Sequence, residues 1–160
     1  MELGMDAGKA AEDIAGFALV EDFPERQRVV RRSGLTLREV DNMPYLFAHG
    51  TFRKGGRNNN LIESAISLGH AVTEQDYALY TIKGKPVVTK LPQTKIKGEV
   101  YAVSDEELTL VDRLEGHPRI NKRDLVPVKL EDGNTVEAWL YFHIQPLRES
   151  VLIESGEYPI

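Results

Sequence analysis

The stretch YLFAHGTFRKGGRNN, Tyr45 to Asn59, decides how the rest of the chain is read. Its first four residues, Tyr45-Leu46-Phe47-Ala48, are a short apolar run ending in a glycine-bearing turn, the mark of a buried strand. The loop that follows, His49 to Asn59, carries Gly50, Gly55 and Gly56. Glycines let backbone N–H groups approach a ligand closely, so this loop is a candidate cradle for a carboxylate or phosphate. A purely structural turn is the competing reading. Downstream, Leu61, Ile62, Ala65, Ile66 and Leu68 are spaced as a helical face behind an Asn cap. The expectation is strand, glycine loop, helix, with the helix N-terminus adding partial positive charge to the cradle.

Toward the C-terminus, Tyr77–Ile82 and Pro86–Thr89 read as a hairpin around Lys83-Gly84-Lys85. Gly84-Lys85 is not a phosphate-binding loop: the upstream glycine is missing, and Pro stands where Ser or Thr would bind magnesium. Residues 96–103 read as another strand. Ser104 then opens a helix with a capping box completed by Glu107, and Leu108, Val111 and Leu114 share one face before Gly116 and Pro118 end it. Glu115 therefore sits at the helix C-terminus, where the negative end of the dipole disfavours its ionised form and moves its pKa upward. If it is also desolvated it becomes a base near neutral pH; a solvated surface glutamate is the alternative. Leu125–Leu130 and Val136–Phe142 form a last hairpin around Asp132-Gly133. Strands joined mostly by hairpins, with two or three helices, predict an α+β domain on an antiparallel or mixed sheet.

Toward the N-terminus the texture changes. Residues 1–43 combine a helical pattern of Ile14, Phe17 and Ala18 with a basic cluster, Arg26, Arg28, Arg31 and Arg32, and read as an extension to a domain spanning 44–160. The cluster suits a solvated helix face or surface ion pairs, and a contact with nucleic acid or another acidic partner is the sharper alternative. Over all 160 residues the formal charge is −5, so no electropositive field favours nucleic acid or an anionic membrane. No cysteine is present, which excludes disulfides, thiolate catalysis and Cys-ligated metals. No apolar stretch resembles a signal or spanning segment, so the expectation is a cytoplasmic protein without membrane contact. His49, His70, His117 and His143 are dispersed, without metal-site spacing, and count mostly as surface or satisfied polar groups; His49, in the glycine loop, is the exception. No G-x-S-x-G nucleophile elbow occurs.

Two motifs in order resemble the gamma-glutamyl cyclotransferase-like family, in particular its gamma-glutamylamine cyclotransferase branch. The first is YLFAHGTFRKGGRNN, with the basic pair Arg53-Lys54, Gly55 and Asn58. The second joins Gly98-Glu99-Val100-Tyr101 to Val111-Asp112-Arg113-Leu114-Glu115-Gly116-His117-Pro118 and Arg123. Glu154-Ser155-Gly156-Glu157-Tyr158 is similar to the family's closing segment. The resemblance covers about residues 44–160. At two positions the chain departs from the family pattern: the loop tyrosine is His49, and the tyrosine two before Arg123 is Asn121.

The resemblance implies a small mixed, mostly antiparallel barrel-like sheet flanked by helices. It implies that His49, Gly50, Thr51 and Phe52 bind the substrate's glutamyl group and that Glu115 is the catalytic base. The implied reaction closes 5-oxoproline from a gamma-glutamyl amine or peptide-like conjugate and expels the amine, with no cofactor and no metal. His49 in place of a phenol would add a group titrating near neutrality. Segments such as 60–66 and the hairpin around Gly84 would set specificity for the amine. A non-catalytic binding protein that retains the fold, with residues 1–43 contacting a protein partner, is the alternative, and a nucleotide-handling enzyme a further one. Nothing in the sequence fixes an oligomeric state.

Overall fold

The computed structural model describes Gly34 and residues 37–160. The chain divides into two units, Met1–Asn42 and Met43–Ile160, each taken by itself. In the first, the described structure is a turn at Gly34 and the short helix α1, Leu37–Asp41. The expected helical pattern of Ile14, Phe17 and Ala18 and the arginine cluster lie outside the described residues.

The second unit runs β1 (Tyr45–Ala48), a single 3-10 turn (Asn59–Ile62), β2 (Ile66–Ile82), β3 (Lys85–Ala102), α2 (Asp105–Glu115), β4 (Asn121–Leu130), β5 (Thr135–His143) and β6 (Ser150–Leu152). Hairpin turns set β2 against β3 and β4 against β5 antiparallel. Antiparallel pairing also joins β2 to β4, as at Val72↔Lys129, and β1 to β3, as at Phe47↔Val100. A parallel contact, Leu46↔Trp139 between β1 and β5, closes the ring. The result is a small mixed, mostly antiparallel barrel, which leaves those strands no open edge; β6 adds to the end of β2.

Alternation along the strands builds two apolar layers. Phe47, Leu79, Val88, Val100, Leu140 and Phe142 fill the barrel, while Leu46, Tyr101 and Tyr141, their sequence neighbours, turn outward onto Phe52, Ile62, Leu108 and Val111. Strands buried on both faces carry near-continuous apolar runs, as β1 does. Each such fully buried side chain contributes about 1.5–3 kcal/mol relative to exposure. Helix α2 forms as its sequence dictates. Glu107 N–H donates to Ser104 Oγ at 3.0 Å, Ser104 N–H donates to Glu107 Oε1 at 2.9 Å, and Gly116 caps the C-terminus with φ +68°.

Two expectations are corrected. Residues 61–68 are not a helix: one 3-10 turn ends at Ile62, and β2 begins at Ile66, paired with Ala102. Partnership with β3 overrides the local helical spacing, a long-range term that periodicity does not register. Nor does Asn58 cap a helix; its amide donates to Thr51 Oγ1 at 2.9 Å. The segments expected as separate short strands at 77–82, 86–89 and 96–103 belong to two long strands of 17 and 18 residues. Register shifts at Ser67/Gly69, Val72/Asp76 and Tyr77/Ala78 interrupt their pairing, and such irregularities bend long strands around a barrel.

Candidate active site

Strand β1 delivers its chain into the 49–59 loop, and the loop is fastened to itself. Arg53 N–H donates to Gly50 O at 3.1 Å, Asn58 N–H to Thr51 O at 2.9 Å, and the Asn59 amide to Phe52 O at 2.7 Å. The turn is tight enough that a Cβ on Gly56 would stand 2.3 Å from Thr51 O, so only glycine fits there. With the helix absent, no dipole reinforces this loop; any anion affinity rests on its backbone donors. Among the described residues, no acceptor engages the N–H groups of Gly50, Thr51 and Phe52.

The loop's buried arginine turns away from those donors. Arg53 is 8% exposed; it donates to Tyr158 O at 2.9 Å and Glu157 Oε2 at 3.3 Å, and its Nε lies 3.6 Å from Glu99 Oε2. Glu99, itself buried, accepts from Lys54 N–H at 2.9 Å and Tyr101 Oη at 2.7 Å. Burial, then that bond to a carboxylate, pushes the Tyr101 phenol up to about 12. Arg53 is thus a strut that holds the loop from behind, and the closing segment around Glu157-Tyr158 is its anchor.

Glu115, the last residue of α2, lies on the opposite wall. Asn121, the first residue of β4, donates its amide to Glu115 O at 2.9 Å and to Glu115 Oε1 at 3.2 Å, while its own Oδ1 lies 3.0 Å from His143 Nδ1. Burial pushes the Glu115 carboxyl up to about 7, opposed by the positive charge of Lys85. The expected direction is found, with desolvation as its leading cause. Behind this wall Arg123 pairs with Asp112 through Nε at 2.8 Å and Nη2 at 3.3 Å, stacks 4.2 Å from the Trp139 ring centre, and shares Asp112 with the Tyr141 hydroxyl. Burial raises the Asp112 pKa, but the Arg123 and Tyr141 hydrogen bonds outweigh it and the net shift is downward.

Both walls line one cavity of about 660 Å³, which contains His49, Gly50, Thr51, Phe52 and Glu115 together with Asn121, His143 and the β2–β3 hairpin tip. Gly50 is needed for this closure: a Cβ there would meet Pro86 Cγ at 2.4 Å. His49 does not titrate near neutrality as the sequence suggested. Burial, helped by the Arg53 charge, lowers its pKa to about 4, so the imidazole is neutral in the folded protein. A more open groove of about 960 Å³ runs past Tyr77 and Val126, but its Lys90 is already paired with Asp124 at 2.6 Å and its Lys95 with Asp76 at 3.8 Å. Among the described residues no three His, Asp or Glu side chains cluster as a metal site, and no helix is long and apolar enough to cross a membrane.

Asn121 and His143 were missed as a pair, although the signal existed. Counting outward from the turn at Asp132-Gly133 pairs Lys129 with Thr135 and, eight residues on, Asn121 with His143. His117 belongs to the frame: its Nδ1 accepts from Arg123 N–H at 3.3 Å.

A protein of Methanocaldococcus jannaschii provisionally named a gamma-glutamylcyclotransferase is 38% identical over 117 residues, spanning 72% of this chain and 96% of that protein. The gamma-L-glutamyl-butirosin B gamma-glutamyl cyclotransferase of Niallia circulans is 32% identical over 107 residues, 63% of this chain and 67% of that one. The mouse AIG2-like protein superposes with a TM-score of 0.64 at 21% identity, over 74% of this chain and 96% of that one, which shows a shared fold. The sequence profile of the family described as "Gamma-glutamyl cyclotransferase, AIG2-like" matches residues 46–159, and the chain belongs to that family.

Proposed function

We propose that the protein is a gamma-glutamyl cyclotransferase that releases 5-oxoproline and an amine from a gamma-glutamyl conjugate, with Glu115 as the base. The observation that carries this reading is a single one. A carboxyl whose pKa is about 7 shares a cavity with a glycine loop whose N–H groups at 50, 51 and 52 have no protein acceptor among the described residues. The names of the relatives in Methanocaldococcus and Niallia support the same chemistry.

The reaction needs little else. The substrate's α-amine attacks its own γ-carbonyl carbon; the new C–N bond closes a five-membered ring as the amide C–N bond breaks. Tethering makes this step intramolecular, so holding the right conformer removes much of the barrier. Glu115 takes a proton from the ammonium so that the free amine can attack, and returns it to the leaving nitrogen. The second proton, shed as the ring nitrogen becomes an amide N–H, also ends on the expelled amine, which departs as an ammonium, so the proton balance is zero. The loop N–H groups hold the α-carboxylate and receive the negative charge that develops on the γ-oxygen. Neutral His49 adds a polar group to the pocket without repelling the ammonium. Asn121 fixes the carboxylate against the end of α2. Incubating the protein with gamma-glutamyl amines and dipeptides should release 5-oxoproline, and Glu115→Gln should not; equal release by both would refute the assignment of the base.

A further inference from the structure

Of the charged side chains lining the cavity, one is acidic, Glu115, and four are cationic: Arg57 from the loop, Lys83 and Lys85 from the β2–β3 hairpin, and Arg113 from the last turn of α2. They converge from three separate elements. The ion pairs of the described residues engage Arg53, Lys90, Lys95 and Arg123, and none of the four at the cavity. The glutamyl group does not account for them, because its α-carboxylate and α-ammonium cancel. Arg113 has a structural reason to sit where it does, beside the negative end of a helix dipole. Lys83 has none. With φ +52° followed by Gly84 at +80°, it occupies the first position of a two-residue turn that favours Asn or Gly, and an L-residue in that conformation is held there at a cost. The tip is also anchored toward the loop. Tyr158 Oη donates to Gly84 O at 2.8 Å, and Tyr158 O accepts from Arg53 at 2.9 Å.

Resting on the cyclotransferase reading, we propose that the amine expelled by this enzyme is anionic, its phosphate or carboxylates set against Arg57, Lys83, Lys85 and Arg113 at the cavity mouth. Four like charges around a concave opening focus a positive potential on whatever part of the substrate projects past the glutamyl group. An anionic leaving portion relieves their mutual repulsion, and a cationic one adds to it.

Four gamma-glutamyl conjugates of matched length test this: those of propylamine, β-alanine, phosphoethanolamine and 1,3-diaminopropane. At low salt kcat/KM should favour the phosphate over the neutral conjugate by about tenfold or more, with the cation last and the spread narrowing as ionic strength rises. The double variant Lys83→Gln, Arg113→Gln should bring the phosphate-to-neutral ratio toward one. Preference for the neutral or cationic conjugate, or a ratio untouched by the double substitution, would overturn the proposal while leaving the cyclotransferase reading intact. If no conjugate releases 5-oxoproline, that reading fails, and calorimetric binding of the same four compounds then decides the charge question. Tighter binding of the anionic pair would then support an anion-binding mouth formed by the four cations and overturn its assignment to a leaving amine; equal binding of all four would overturn both.

Discussion

The two walls of the cavity solve the same problem with opposite chemistry. On the loop wall the offered groups are backbone N–H donors and a neutral imidazole, none of which changes charge near neutral pH. On the helix wall the offered group is one carboxyl whose charge is poised to change. Behind each wall stands an arginine–carboxylate pair, Arg53–Glu99 and Arg123–Asp112, but the first is buried and the second about 20% exposed. A fixed donor array needs a rigid frame, whereas a proton carrier needs desolvation at one carboxyl. Charge is therefore fixed in an ion pair behind the loop and left titratable at the helix end.

The largest expected effect separates the walls by function. Glu115→Gln should lower kcat by roughly 10²- to 10⁴-fold, the usual contribution of a positioned general base. The same substitution should leave thermal stability undiminished, since a glutamine can still accept from Asn121. Next comes the frame. Glu99→Ala leaves the buried Arg53 with the half-exposed Glu157 as its remaining carboxylate and takes the acceptor from Lys54 N–H and from the Tyr101 hydroxyl proton, so denaturant unfolding should report a loss of about 3 kcal/mol. Asp112→Ala, in the more exposed pair, should lose less; an equal or larger loss would erase the distinction drawn between the two frames.

A smaller effect has a definite sign with pH. Glu115 has its folded pKa raised from an ordinary value near 4.5 to about 7, so its contribution to stability is fully present below 4.5 and is lost as pH rises through 7. Glu115→Gln should therefore stabilise the protein relative to wild type at pH 8, by about 2 kcal/mol, and give no such gain at pH 4. Melting temperatures at the two pH values check this. Smallest is the hairpin tip, where Lys83→Asn suits the left-handed turn better and should raise stability by about 1 kcal/mol or less.

How much of this was legible in the sequence depended on whether the deciding interactions were local. Ser104 with Glu107, Gly116, and the Asp132-Gly133 turn are signals within a few residues, and helix α2 and the β4–β5 hairpin follow them. Residues 61–68 carried an equally clear helical spacing that proved misleading, because Ile66 is claimed by Ala102, 36 residues away. The site shows the same division. Glu115 could be placed at a helix end from local signals, and its upward shift anticipated. His49 could not be read as neutral, since its depression arises from burial and from Arg53, both products of how the loop packs. The roles of Arg53 and Tyr158 depend on contacts more than 100 residues apart, which no motif spacing encodes.

Catalysis by Glu115 as a base requires that its proton leave near neutrality inside the cavity. The most direct test is to follow its side-chain carboxyl by carbon-13 NMR across pH 3–9 and to compare the midpoint with the rising limb of kcat/KM for 5-oxoproline release. A base at Glu115 should give one midpoint near 7 in both curves. A carboxyl that titrates near 4.5, or a rate profile with no limb at the carboxyl's midpoint, would contradict it.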